Sequence, residues 1–411
     1  MTIAAALRFF KVKRAYMADF RVLQGGESPA AENYNKKVIV HRIIVWTSRI
    51  AAAAAIIAAV YFGVRFYQNL VYNEYTVESR TLRSDSDSAK YMGFNGHILK
   101  YSNDGAEAFN GDGTALWNMT YQMSDPIVAT CEDYVAIGEK NSAKIIVMEP
   151  GGIQHNIDTK LPVHTFRIAS QGVVAAVLDD GDDSLIELYD KMGQELARFK
   201  CSMADSGYPL DLALSPNGHL LGISFLRIDE SKIKTSIAFY NFGGVGENEI
   251  DNLVSGYDYE DRVFPRIRFL DDEHAVAVGD ERVIFYKGGE RPVKSHAYRI
   301  KRDVRSIYFG DGYFALAFDL NTRRNPKMVD IFNNEGEKVL SQRFDMEYTD
   351  VLLANKQMVI YNDSKCLIYN LHGSCKFDGR FDDKTLLMVP GDGPAWFSLV
   401  SRSVCELIRF H

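Results

Sequence analysis

Side chains that could do chemistry are few and scattered in this 411-residue chain. The nine histidines stand singly, at 41, 97, 155, 164, 219, 274, 296, 372 and 411. No pair has the i, i+2 or i, i+4 spacing that would bring two imidazoles to one metal. The acidic stretch from Asp179 to Ser184 (DDGDDS) offers oxygens of the kind calcium takes. It lies between two strand-like runs, where acids are solvated without an ion, so no metal is expected. Five cysteines, Cys131, Cys201, Cys366, Cys375 and Cys405, are too few for a disulfide framework. Cys366 and Cys375 flank one hairpin turn. Centred on His372 and Gly373, that turn sets Cys366 opposite Gly379 and Cys375 opposite Asn370, an offset that disfavours a bridge. Unbridged, buried thiols are expected instead. These residues imply no catalytic set and no cofactor.

Two groups suit binding better than catalysis. The stretch 243–264, GGVGENEIDNLVSGYDYEDRVF, reads as a long connection carrying Tyr257 and Tyr259 among acids. Long connections are often functional, and tyrosine favours interfaces. Downstream, Arg291, Lys294, Arg299, Lys301, Arg302 and Arg305 gather, followed by Arg323, Arg324 and Lys327. A possible interface therefore comprises Tyr257, Tyr259, Arg299, Arg302, Arg323 and Arg324, with a protein, a phosphate-rich polymer or a lipid headgroup as its partner. Nucleic acid is not expected. The net charge is −7, and residues 1–49 hold nine Lys/Arg against three Asp/Glu, which leaves the other 362 residues at −13.

The element that would place these groups at a membrane is the run 43–64, IIVWTSRIAAAAAIIAAVYFGV. Twenty-two helical residues reach about 33 Å, enough for a hydrocarbon core of about 30 Å. Arg49 lies near one end and can snorkel to the headgroups. The apolar run begins after 42 residues, too late for an ordinary signal peptide. The reading is a basic cytoplasmic segment over 1–42, a transmembrane helix over 43–67 and a short stalk over 68–75. The basic flank puts the N-terminus in the cytoplasm and the rest of the chain outside it. Residues 24–35 read as a flexible linker.

Beyond residue 75 the pattern changes to short strand-like runs that repeat. Seven copies end an apolar strand in a turn with glycine, at Gly113, Gly152, Gly193, Gly243, Gly288, Gly336 and Gly373. Successive gaps of 39, 41, 50, 45, 48 and 37 residues average about 43, the period of propeller blades. A second marker precedes each inner strand, most clearly in LSPNGHLLGISF (214–225). The chain ends in two strands of an eighth unit, AWFSLV and CELIRF, while YTVESRTL (75–82) has no unit of its own. Pairing these two ends closes the ring and removes exposed edges. The fold class is thus an all-β, eight-bladed β-propeller over 76–411, with seven blades as the alternative, preceded by one transmembrane helix.

NGDGTALW (110–117) is similar to the Asp-Gly-x-x-x-Trp turn of quinoprotein-type propeller repeats, and LSPNG (214–218) resembles the turn of WD40-like propellers. With the single N-terminal span, the layout resembles an uncharacterised family of single-pass, extracytoplasmic β-propellers of Gram-positive bacteria. The resemblance implies a fold and an anchor, and no activity. Quinoprotein dehydrogenases hold their cofactor between a tryptophan floor and an adjacent-cysteine disulfide. Here only Trp117 and Trp396 lie outside the anchor, and no two cysteines are adjacent. The expected role is a docking platform in the cell envelope, not an enzyme. A carbohydrate-active hydrolase or lyase, or a ligand sensor, stands as the alternative.

Overall fold

The computed structural model describes residues 29–68, 71–83, 88–202, 206–229, 232–320 and 322–411. It divides the chain into two units, Met1–Gln68 and Asn69–His411. The basic segment expected over 1–42 lies outside the described residues up to position 28.

The first unit is a helix from Pro29 to Gln68. Its stretch Val38–Gly63, 26 residues, is long and apolar enough to cross a membrane, and none of it is buried. This window begins five residues before the expected start because Val38, Ile39 and Val40 extend the apolar run past His41 and Arg42. The linker expected over 24–35 is helical from Pro29 onward. Proline is well suited to a first helical position, and the following Ala-Ala-Glu favours continuation.

In the second unit the described residues form eight four-stranded antiparallel sheets. Seven blades use four consecutive strands each, starting at residues 90, 126, 163, 208, 266, 304 and 350. The eighth takes Leu387–Pro390, Trp396–Val400 and Val404–Phe410 from one end of the unit and Tyr75–Leu82 from the other. Tyr75 pairs with Phe410 and Leu82 with Val404. The ring closes as the two orphan ends require.

The first strands of successive blades lie beside one another and form the inner ring. Packing runs around the circle. Among the described residues eight apolar clusters form, each shared by two neighbouring blades. The one that joins last to first contains Ile98, Phe109, Val389, Val400 and Cys405. No regular tryptophan docks the blades; buried Tyr286, Tyr361, Phe239 and Phe332 fill comparable space.

The repeated turn has a physical basis that Gly193 illustrates. Asp190 closes the third strand, and its Oδ1 accepts the N–H groups of Met192 at 2.9 Å and Gln194 at 2.8 Å. Gly193 then takes φ +86° and donates to the Asp190 carbonyl at 3.0 Å, and the register slips by one residue as the fourth strand starts. That is a turn followed by a glycine bulge. The glycine also abuts the preceding blade, where a Cβ would lie 3.0 Å from the Asn156 carbonyl oxygen.

The expected stalk is shorter than 68–75. The Tyr72 N–H donates to the Lys376 carbonyl at 2.6 Å, and Asn73 and Glu74 exchange backbone hydrogen bonds with His411. Residues 72–74 therefore belong to the seam of the ring.

Candidate functional site

Strands alternate in direction within each blade. The links between blades and the turns between second and third strands consequently emerge on one face, and the remaining turns on the other. Arg299 ends the outer strand Val293–Arg299 of the fifth blade, and Arg302 follows in the link to the sixth. Arg323 and Arg324 sit in the turn between Tyr313–Asp319 and Lys327–Phe332 of the sixth blade. The topology thus brings all four onto one face, exposed.

Charge on that face divides into two sets. Arg305 and Lys327 are neutralised locally: Asp319 binds them at 2.9 and 3.0 Å, and Glu347 reaches Lys327 at 3.1 Å. Hydrogen bonding from Lys327, reinforced by Arg305, holds the Asp319 carboxyl below the usual carboxylate range. Among the described residues, Arg299, Lys301, Arg302, Arg323 and Arg324 have no ion pair. These five are unpaired positive charge, set on the same face as Asp280, Glu281 and Asp303, whose carboxylates have no ion pair among the described residues either.

The two tyrosines are placed differently. Residues 253–260 are the outer strand of the fourth blade and not part of a connection. The insertion itself is confined to 243–252, which coils into two short 3-10 turns. Tyr257 and Tyr259 point toward the fifth blade because strand alternation gives them one face, and the bulge between Leu253 and Ser255 brings Val254 to the same cluster. The Tyr257 hydroxyl donates to the Pro292 carbonyl at 3.0 Å, and the Tyr259 hydroxyl lies 2.8 Å from that of buried Tyr286. Burial raises the pKa of Tyr259. Both rings are half-buried in blade packing, while the four arginines are exposed.

The acidic turn has its own counterion. Lys200 Nζ approaches Asp183 at 2.9 Å and Asp180 at 3.4 Å, beside a small pocket that reaches Tyr208. No group of three or more His, Cys, Asp or Glu side chains among the described residues is arranged for a metal. None of the five cysteines is in a disulfide. Cys366 faces Gly379 as expected, but the bulge at Lys376, just after the turn, sets Cys375 opposite Tyr369 instead of Asn370. Two carboxyls, Asp350 and Glu406, are held above their ordinary range by burial, and they lie on different blades. Asp350 accepts the Val351 N–H at 2.8 Å, and Glu406 binds Arg80 at 3.1 Å.

One constellation escaped the sequence reading. Arg167, Asp211, Arg266 and Arg268 occupy the inner strands of the third, fourth and fifth blades. Asp211 Oδ1 accepts from Arg167 Nη2 at 2.7 Å, and Oδ2 accepts the Ile267 N–H at 3.1 Å. The available signal was a charge at mid-strand in otherwise apolar inner runs, VHTFRI, YPLDLAL and RIRF.

A closed ring of eight four-stranded blades, one helix able to cross a membrane, and a face of unpaired arginines define the class: a β-propeller carried behind a membrane-type helix. The chain belongs to DUF5711, a family of unknown function, which matches residues 68–410. No curated protein matches it. Among solved structures it is similar to BamB from Moraxella catarrhalis, at 12% identity and TM-score 0.50, over 82% of this chain and 98% of that one. It is also similar to AztD from Citrobacter koseri, at 9% identity and TM-score 0.46, over 74% of this chain and 86% of that one. At such identities the likeness is one of fold.

Proposed function

We propose that this protein is a single-pass docking platform of the cell envelope. In this reading the N-terminus is cytoplasmic, the helix anchors the chain, and the propeller stands outside the cytoplasm, as in the Gram-positive layout its repeats resemble. The observation that carries it is the placement of Arg299, Lys301, Arg302, Arg323 and Arg324 on one face without internal counterions. Strand Tyr75–Leu82 starts at the opposite edge, because it runs antiparallel to Val404–Phe410. The polypeptide therefore enters the ring away from the basic face and leaves that face open to an acidic protein or a phosphate-rich polymer. Asp350 and Glu406 each serve a local partner, which favours docking over the hydrolase alternative.

Site-specific photo-crosslinkers at the exposed neighbouring positions 303 and 322 in living cells test the reading. A discrete adduct, lost when Arg299, Arg302, Arg323 and Arg324 are all changed to Gln, is expected. Adducts indifferent to those changes would sink the docking face. Labelling of Cys375 by a membrane-impermeant maleimide in intact cells tests the orientation, and protection of that thiol would reverse it.

A further inference from the structure

The inner-ring arginines carry more positive charge than the protein neutralises. Buried Asp211, 3% exposed, spends one oxygen on Arg167 and the other on the Ile267 N–H. Arg266 and Arg268 flank Ile267 on an extended strand, so their side chains share one face while Ile267 is buried on the other. Among the described residues, neither guanidinium has an ion pair or a hydrogen-bond acceptor. Burial, with Arg167 and Arg266 nearby, pulls Arg268 down to about 10 despite the opposing pull of Asp211. Arg167 Nε is also buried without a partner.

We propose that this wall of the ring binds a phosphate monoester, with Arg266 and Arg268 taking its oxygens and Asp211-anchored Arg167 supplying the third positive charge. Three guanidiniums and one carboxylate leave two net charges. A phosphate monoester, at roughly −1.5 to −2 near neutral pH, cancels them, whereas a monocarboxylate cancels only half. The planar fork of arginine matches phosphate oxygens two at a time. A half-buried guanidinium such as that of Arg268 is costly to keep without a counterion. The inference stands apart from the basic face, which shares the fifth blade but is built from its outer strand, the link that follows and a turn of the sixth blade.

The test uses the full chain in detergent micelles, with inorganic phosphate titrated at constant ionic strength against chloride. Saturable binding and a phosphate-specific rise in Tm are expected. Arg266→Gln and Arg268→Gln should each weaken binding at least tenfold, Arg268→Lys should restore part of it, and Arg323→Gln with Arg324→Gln should leave it unchanged. Glycerol phosphate and vesicles containing phosphatidic acid then separate a soluble ligand from a lipid headgroup. Phosphate acting no differently from chloride, or binding at full strength in Arg266→Gln, overturns the proposal. Because Arg266 is exposed, its replacement preserves packing, and that arm decides even where Arg268→Gln fails to fold.

Discussion

Tyr75 and Phe410 face each other across the seam of the ring, the first residue of the first strand against the last residue of the last. Phe410 is 2% exposed and also meets Tyr72, Phe377 and Phe397, with ring centroids 4.6–5.8 Å away. The seam is further clasped where Thr81 Oγ1 donates to the Asp112 carbonyl at 2.7 Å and Arg83 covers the Phe109 ring at 3.8 Å. Phe410→Ala should therefore cost about 3–5 kcal/mol, the range for a buried Phe-to-Ala truncation. Urea unfolding of the full chain measures it, and an unchanged midpoint would mean that the seam contributes nothing.

A turn glycine and a loop glycine should respond unequally to one methyl group. Gly193→Ala forces an L side chain into φ +86° and against the Asn156 carbonyl. A loss of about 1–2 kcal/mol from the backbone alone is expected. Gly244 has nothing within 4 Å of an added Cβ, so Gly244→Ala should stay within about 0.5 kcal/mol of the parent. Equal losses at both sites would contradict the turn argument.

Acid should weaken the contact between the fifth and sixth blades. Burial tends to raise the Asp271 pKa, but hydrogen bonds from Asn334, the Glu273 N–H and His274 outweigh it, so the carboxyl lies below the ordinary range. A depressed folded pKa stabilises fully above the unfolded value of about 3.9 and is lost as pH falls through the folded one. The stability advantage over Asp271→Asn should be constant near neutrality and shrink below about pH 4. Denaturant midpoints across that range check it; an advantage that grows with acid would reverse the assignment.

Thiol reactivity should separate the cysteines. Cys375 is the exposed one, with its thiol raised by partial burial, while fuller burial raises Cys131 to about 11 and Cys201 to about 12 and pushes Cys366 higher still. Because the thiolate reacts, a disulfide reagent at neutral pH should modify Cys375 first in the folded chain and all five after denaturation without reductant. Fewer than five thiols in the denatured chain would reveal a bridge.

The architecture was legible because it is periodic. The glycine at each third-to-fourth turn answers to a positive φ, and at Gly113, Gly193 and Gly336 also to a close neighbour, so the chain displays its own blade count. Gly243 shows where that logic ends. It lacks a positive φ, and its turn is replaced by the 243–252 insertion, which made an outer strand look like loop. Tyr257 and Tyr259 were misread in consequence, because alternation had to be counted from a strand start that the insertion concealed. Arg299, Arg302, Arg323 and Arg324 could be grouped by their spacing, and the links and turns of adjacent blades set them on one face. Arg167, Asp211, Arg266 and Arg268 were missed: they are separated by up to 101 positions, and only the closeness of successive inner strands unites them.

The strand that seals the eighth blade is also the earliest strand of the ring to be synthesised. Tyr75–Leu82 finds its partner only when Val404–Phe410 exists, more than 320 residues later. Throughout synthesis that leading segment must wait unpaired while the strands of the seven other blades follow it. Birth order and assembly order run in opposite directions, so whatever shields a nascent edge matters most for the piece delivered earliest.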